Sequence, residues 1–302
     1  MPWNAESADL KPLYDAVAAA DGMIAWESYG FSRDCEGELN SRYLSRASGF
    51  AKLGGGNLNR FIVCPGTYEF IENNANVDFK VWLDQQLNTV ANHPDFAGTG
   101  GIGMWIAYYT DPEILRWFSA LVKHYGIDGE KTMLSDRYGY KLRPGIVKHA
   151  EWESLDAWNP VGAVELVDKK DTGVPDSYYP RSRQNMLRMT RTPGALNSVA
   201  QTLANLESGK LYALTVLVTN PDTADKVTYG LDVKLENAEI VNSRMRWMND
   251  FIKRDKPVWN AYKIVFRAGD KPVKLILSES DDAAKARPAT LLIDSIQVTP
   301  FF

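Results

Sequence analysis

The sequence predicts a protein of two parts, an α/β first half followed by an all-β second half. Up to about residue 128, strand-like apolar runs alternate with stretches whose apolar residues recur at helical spacing. After about residue 145 the apolar pattern changes to a period of two, and short strand-like runs follow one another between turn residues. The third observation is the segment 98–125, which is typical of a buried parallel strand, a short loop and a helix in succession.

The first half contains about three strand–helix units. Its predicted strands are MIAWESYGF, RFIVCPGTYEF and GIGMWIAYY, and its predicted helices occupy 8–20, 36–53, 78–93 and the stretch after Asp111-Pro112-Glu113. This alternation indicates a parallel sheet wrapped by helices. Two architectures stay open: part of a (β/α)8 barrel, because a whole barrel needs about 250 residues, or a small α/β layer that the second half or another copy completes.

The second half is predicted to be a β-sandwich or jelly roll. Its predicted strands are LYALTVLVTN, VTYGLDVKLENAEIV, NAYKIVFRA, PVKLILSES and TLLIDSIQV. No long helical pattern interrupts them. We therefore place the first domain at 1–135, a linker rich in Tyr, Gly and Pro at 136–150, and the second domain at 151–302.

Composition excludes several classes of function. The net charge of −4 comes from interspersed acids and bases, so nucleic acid is not an expected partner. No apolar run of about 18 residues predicts a membrane span, and the first residues lack the pattern of an export signal, so the compartment stays unknown. Glycine-rich segments occur in the wrong context for phosphate or dinucleotide binding, and no organic cofactor is expected.

The cysteine and histidine residues do not predict a disulfide scaffold or a metal site. Cys35 and Cys64 are too few for a disulfide scaffold, and one bridge or two free thiols both stay open. The three histidines are far apart along the chain. A histidine-based metal site is therefore not expected.

An ordered series of segments runs through the second half: EWE at 151–153, NMLRM at 185–189, VAQTL at 199–203 and LIDSIQV at 292–298. This series resembles the galactose-binding-like jelly roll found in many carbohydrate-binding modules. The resemblance covers roughly residues 146–302 and implies the fold more specifically than the function.

The same resemblance implies a structural calcium ion between the start of the domain and its last strand. Its ligands would be Glu151, Glu153 and Asp294, since carboxylates suit a hard cation. The double acid usual in that last strand is Asp294-Ser295 here. The alternative is that these acids are solvated or capped.

The first half resembles the end of a (β/α)8 glycoside hydrolase or glycoside hydrolase-like protein. The segment TGGIGMWIAYYTDPEILRWFSALVKHYGIDGEKT looks like a last strand and last helix that lead into the jelly roll. The resemblance, which is one of layout, implies that the three strands are the sixth, seventh and eighth of a barrel. The first five strands are absent from this sequence.

Two carboxylates are candidate catalytic residues. Glu27 and Glu69 fall at the carboxyl ends of the first two predicted strands, with aromatic neighbours, and glycoside hydrolysis uses such a pair. In the family pattern the nucleophile comes from the seventh strand, which implies Glu69. The acid/base residue of that pattern comes from the fourth strand, which is absent here. Glu27, on the implied sixth strand, does not match the pattern. The alternative is that these acids cap helices or pair with Arg33 or Arg60.

Aromatic residues near the predicted strand ends are candidate sugar platforms, and packing is the alternative role for each. The set consists of Trp26, Tyr68, Trp105 and Tyr108 in the first half and Trp247, Trp259 and Tyr262 in the second.

These observations together predict a carbohydrate-associated, glycoside hydrolase-like protein that binds a polysaccharide or oligosaccharide. Hydrolysis by the carboxylate pair is expected if a complete barrel forms. One alternative is a non-catalytic structural or carbohydrate-binding protein whose barrel portion is a truncated remnant. Another is a hydrolase assembled from two chains, a homo-oligomer that covers the open sheet edge.

Overall fold

The computed structural model describes residues 10–67, 73–104, 110–174, 184–191, 196–219, 221, 231–247, 260–279 and 290–302, with only the backbone of 244–247 and 260. The chain divides into two compact units. The first unit comprises Met1–Glu72 and Val77–Leu142, and the second comprises Asn73–Asn76 and Arg143–Phe302. Within these described ranges, no helix has the length and apolar character that crossing a membrane requires.

Helices and parallel strands alternate in the first unit. The helices are α1 (Lys11–Ala19), α2 (Cys35–Glu38), α3 (Ser45–Leu53), α4 (Phe79–Asn92), α5 (Pro112–Leu121) and α6 (Leu134–Tyr138). The strands are β1 (Ile24–Ser28), β2 (Phe61–Pro65) and β3 (Gly101–Ile102). They form a parallel sheet in the order β1-β2-β3.

The two faces of β1 differ in burial. Trp26 is buried in an aromatic core with Phe50 and Phe61. Ala25 and Glu27, which alternate with Trp26 along the strand, are exposed. Glu27 therefore projects from the open face of β1.

The helical segment after β1 is continuous but not uniform. A π-helical turn, Leu39–Leu44, joins α2 to α3. The Ser28 hydroxyl donates to the Arg42 carbonyl in this turn at 3.1 Å. Tyr43, also in the turn and fully buried, donates its hydroxyl to Gln86 Oε1 at 2.6 Å and lies 3.0 Å from the Ser28 carbonyl. The turn thus holds the carboxyl end of β1.

Helix α4 holds the same strand end from a second direction. The Trp82 indole donates to the Gly30 carbonyl at 2.9 Å. A Cβ atom at Gly30 would lie 2.8 Å from the Trp82 ring, so this close approach requires glycine.

Side-chain caps begin the two longest helices of the unit. Asp78 accepts from the Lys80 amide at α4, and Asp111 accepts from the Glu113 amide at α5. The predicted helix start at Asp111-Pro112-Glu113 is therefore confirmed.

The second unit is a β-sandwich of two antiparallel sheets. Its strands are β4 (Asn159–Val161), β5 (Val164–Asp168), β6 (Asn185–Thr190), β7 (Ser198–Thr202), β8 (Leu211–Thr219), β9 (Leu231–Glu236), β10 (Ala238–Trp247), β11 (Asn260–Ala268), β12 (Lys274–Glu279) and β13 (Thr290–Pro300). One sheet has the order β10-β11-β8-β13-β6-β5 and the other β4-β7-β12-β9. Leu214 and Val216 of the first sheet and Leu275 and Leu277 of the second share one buried core.

The predicted combination of an α/β half and a β-sandwich half is confirmed by these sheets. The finer assignment of the first half to part of a (β/α)8 barrel stays a prediction. The segment 136–150 is structured: α6 extends into it, and Ile146, Val147 and Ala150 are buried in the core of the second unit.

We expect Tyr43→Phe to destabilise the first unit by about 1–3 kcal/mol, because it leaves buried oxygen acceptors without their donor. Hydrogen exchange measured on peptides from β1 and α3 reports this local free energy of opening. Tyr138→Phe, at an exposed ring, is the control and should change the free energy by less than about 0.5 kcal/mol. Equal protection in the two variants would contradict the role given to Tyr43.

Candidate functional site

Glu27 presents an accessible carboxylate at the carboxyl end of β1. The side chain is exposed and accepts a hydrogen bond from the Tyr29 hydroxyl at 2.7 Å. Arg60, one of the two arginines considered as its partner, instead pairs with Asp21 at 3.1 Å. Glu27 is therefore not held by that ion pair.

A cavity of about 440 Å³ lies against β1 and includes Glu27 in its wall. The strand also contributes Ile24, Ala25 and Trp26 to this wall, and α1 and α3 supply apolar side chains. Tyr14 and Tyr29 bring hydroxyl groups to it. The exposed side chains of Glu27 and Leu13 show that the cavity opens to solvent. Its volume is in the range of small-molecule sites.

Trp26 lines this cavity, but its ring is packed in the core. The ring stacks on Phe96 with centroids 5.7 Å apart and planes within 3°, and it meets Phe50 edge-on at 5.0 Å. The indole Nε1 is buried and has no hydrogen-bond partner among the described residues. Packing therefore covers a ring face that a sugar platform would need.

Two arginines, Arg42 and Arg46, also line the cavity. Arg42 forms an ion pair with Glu38 and places its guanidinium 4.4 Å from the centre of the Phe31 ring. Arg46 lies four residues later, on the same side of the helical segment, and makes no hydrogen bond or ion pair with any residue that the structure describes. Burial lowers the pKa of Arg46, and the neighbouring Arg42 charge lowers it further. Neither arginine belongs to a motif that would distinguish it in the sequence.

Several predicted site residues lie outside the described part of the chain. They are Tyr68, Glu69, Trp105, Tyr108, Trp259 and the side chain of Trp247. Tyr262 is described: it is half-buried and packs against the core of the sandwich. Burial raises the pKa of its hydroxyl, with a further contribution from Asp232. The packing alternative therefore describes Tyr262 best.

The three predicted calcium ligands have protein partners. Glu151 accepts from the Ala75 amide at 3.0 Å, the exposed Glu153 accepts from the Glu151 amide at 3.2 Å, and the buried Asp294 lies 3.6 Å from the Lys169 ammonium. No cluster of three or more potential metal ligands occurs among the described residues. These contacts do not form a metal site, and the calcium ion stays a prediction.

Of the two alternatives for the cysteines, one bridge or two free thiols, the structure has two free thiols. Cys35 is partly buried and Cys64 is buried. Burial raises the pKa of the Cys64 thiol, and the nearby Glu27 charge contributes. A raised pKa disfavours the reactive thiolate.

The first unit also contains a buried charge cluster that no sequence pattern indicates. The Lys80 ammonium lies 3.1 Å from Asp78 Oδ1 and 3.2 Å from Glu113 Oε1, and all three side chains are buried. Burial by itself would lower the pKa of Lys80, but the two carboxylates outweigh it and raise this pKa above its ordinary range. Lys80 sits among apolar residues at the start of α4, a pattern that does not distinguish a buried lysine from an exposed one.

Tyr140 lies beside this cluster, with its ring centre 5.8 Å from the Lys80 ammonium. Burial raises the pKa of Tyr140 to about 12. The Trp117 indole donates to the Lys80 carbonyl at 2.8 Å, which joins α5 to α4. The cluster therefore connects the first turns of two helices and has a structural role.

No protein-family model and no curated protein matches the chain. Solved structures with similarity include the enzymatically active domain of tailspike protein 4 from bacteriophage CBA120, at 15% identity and a TM-score of 0.33, over 53% of this chain and 22% of that one. TmCBM61 in complex with β-1,4-galactotriose matches at 12% identity and a TM-score of 0.31, over 52% of this chain and 98% of that one.

A third similar structure is the N-terminal endo-1,4-β-D-xylanase 10B of Clostridium thermocellum, its CBM22-1 and GH10 modules complexed with xylohexaose. The identity is 14% and the TM-score 0.29, over 52% of this chain and 29% of that one. The chain thus spans less than a third of the length of the tailspike and xylanase structures.

We expect Lys80→Met to destabilise the protein by about 3–5 kcal/mol at neutral pH, because it leaves two buried carboxylates without their cation. Since the Lys80 pKa is raised on folding, the stability that its charge contributes is fully present below the ordinary lysine pKa of about 10.4. This stability is lost as the pH rises through the higher pKa of the folded protein. Urea unfolding at a series of pH values checks this. The variant should lose less stability than the native protein above about pH 10.

The matched control is Lys123→Met, which removes an exposed ion pair with Asp128 and should cost less than about 1 kcal/mol. Lys80→Arg keeps the charge and should be less destabilised than Lys80→Met. An unchanged alkaline profile in Lys80→Met would show that the Lys80 pKa is not raised on folding.

Proposed function

We propose that the protein is carbohydrate-associated, that it binds a polysaccharide or oligosaccharide, and that, when a complete barrel forms, Glu27 and Glu69 act as a carboxylate pair of the glycoside hydrolase type. The observation that carries the proposal is the position of Glu27. It is an exposed carboxylate at the carboxyl end of a parallel strand, in the wall of a cavity that also contains tyrosine hydroxyls. Ligands of parallel α/β sheets bind at this end of the strands.

The strand register supports the pairing of the two carboxylates. Glu27 lies opposite Cys64 and Ser28 opposite Pro65, the last residue of β2. Adjacent parallel strands are about 4.8 Å apart. The chain after Pro65 therefore leaves the sheet at the same edge as Glu27, and Glu69 follows four residues later in the sequence.

In such a pair one carboxylic acid protonates the glycosidic oxygen, and the other carboxylate attacks the sugar or activates water. We assign the nucleophile to Glu69, following the family resemblance, and the acid to Glu27. The Tyr29 hydroxyl, which donates to Glu27 at 2.7 Å, orients its carboxylate. For the second unit we propose a carbohydrate-binding role, with Trp247 and Trp259 as candidate stacking residues.

Affinity electrophoresis and calorimetry of the full chain against plant and algal polysaccharides test the binding, and release of reducing ends tests the hydrolysis. We expect binding to at least one polysaccharide. Glu27→Gln should reduce hydrolysis by about 10²–10⁴-fold, the usual contribution of a general acid or base. It should change the binding affinity by less than tenfold, because a neutral amide keeps the hydrogen-bonding shape of the carboxyl group.

Glu36→Gln is the matched control, because Glu36 is an exposed glutamate of α2 that does not line the cavity. It should leave binding and hydrolysis unchanged. Absence of binding to every polysaccharide would overturn the proposed function. Binding without hydrolysis would support the carbohydrate association and overturn the catalytic pair, which is the result that a non-catalytic carbohydrate-binding protein gives.

A further inference from the structure

The wall of the cavity beside β1 contains a cation, Arg46, with which no described carboxylate forms an ion pair. Glu38, the acid nearest to the two arginines along the helix, is engaged by Arg42 and by the Phe31 amide at 3.3 Å. Arg46 makes no ion pair with Glu38, Glu27 or any other carboxylate among the described residues. One guanidinium at a largely apolar wall thus has no direct ion pair, and only the more distant charge of Glu38 attracts it.

This arrangement costs free energy in the empty cavity. Arg42 and Arg46 are like charges at positions i and i+4, which repel each other on a helix surface. Partial burial removes water from Arg46 and lowers its pKa, and Arg42 adds to this effect. An anion bound at Arg46 would relieve both penalties.

A second hydrogen-bond donor at the cavity also lacks a partner. Trp26 is only 4% exposed, and its indole N–H has no acceptor among the described residues. Buried donors are normally paired with protein or water. This unsatisfied N–H is a second unfavourable feature of a residue that lines the cavity.

We propose that this cavity binds a sugar that carries a carboxylate group, a uronic acid residue, and that the Arg46 guanidinium binds its carboxylate. A planar guanidinium forms two parallel hydrogen bonds with a carboxylate. The sugar hydroxyls would donate hydrogen bonds to the Glu27 carboxylate and form hydrogen bonds with the Tyr29 and Tyr14 hydroxyls, since all three residues line the cavity. A doubly charged phosphate fits less well, because Glu27 places a negative charge in the same wall.

This inference rests on the proposed function and names the class of its substrate. The test therefore separates sugar binding from the selection of an acidic sugar. Calorimetry is carried out with the full chain and trisaccharides of galacturonic, mannuronic and glucuronic acid. Each trisaccharide is compared with its methyl ester, which has the same ring and glycosidic bond but no charge.

We expect at least one free acid to bind about tenfold or more tightly than its methyl ester, and this preference to weaken in 0.5 M salt. Arg46→Gln should remove the preference and leave the affinity for the ester unchanged. Arg46→Lys should retain part of it, because a lysine keeps the charge without the planar fork. Arg137→Gln, at an exposed arginine paired with Glu130, is the control and should bind like the native protein.

Equal affinity for acid and ester, or an undiminished preference in Arg46→Gln, would overturn the acidic-sugar inference and leave the proposed function standing. Tighter binding of a neutral-sugar phosphate than of any uronate would also overturn it. Failure of all these sugars and of the polysaccharide panel to bind would overturn both proposals.

Discussion

The first unit depends on the hydrogen bonds that hold the carboxyl end of β1. The buried Tyr43 hydroxyl contacts the Ser28 carbonyl and the Gln86 side chain, and the Trp82 indole binds the Gly30 carbonyl. These bonds connect the strand end to the π-helical turn and to α4 at once. Because β1 pairs with a strand on one side only among the described residues, such side-chain bonds supply the constraint that a second neighbouring strand would otherwise give.

The same geometry places chemical groups on opposite sides of one strand. Trp26 enters the aromatic core, whereas Glu27 is directed to the open face, since successive residues of a strand alternate. The π-helical turn carries Arg42, and the following turn carries Arg46 to the cavity wall. π-Helical turns are frequent at functional sites because they change the direction of side chains within a helix. The cavity is therefore a consequence of how β1 is held.

Charges in the first unit fall into two electrostatic situations. Lys80 is buried between Asp78 and Glu113, and its charge is balanced by protein carboxylates. Arg46 is less buried, but no described carboxylate forms an ion pair with it. A balanced buried cluster stabilises a particular arrangement of helices, whereas an unbalanced cation at a cavity favours an anionic ligand. This contrast separates the structural cluster from the candidate site.

The sequence by itself determined the local elements and their order, because the spacing of apolar residues reflects the period of a helix or strand. NAYKIVFRA is the strand β11 in full, and the stretch after Asp111 begins a helix at its predicted cap. Glu27 was also identifiable as a candidate, since it lies at the carboxyl end of a predicted strand. Only the tertiary structure decided the burial of Trp26 and Lys80 and the gathering of Arg42 and Arg46 at one cavity. These properties arise from contacts between distant segments, and neither spacing nor residue type specifies such contacts.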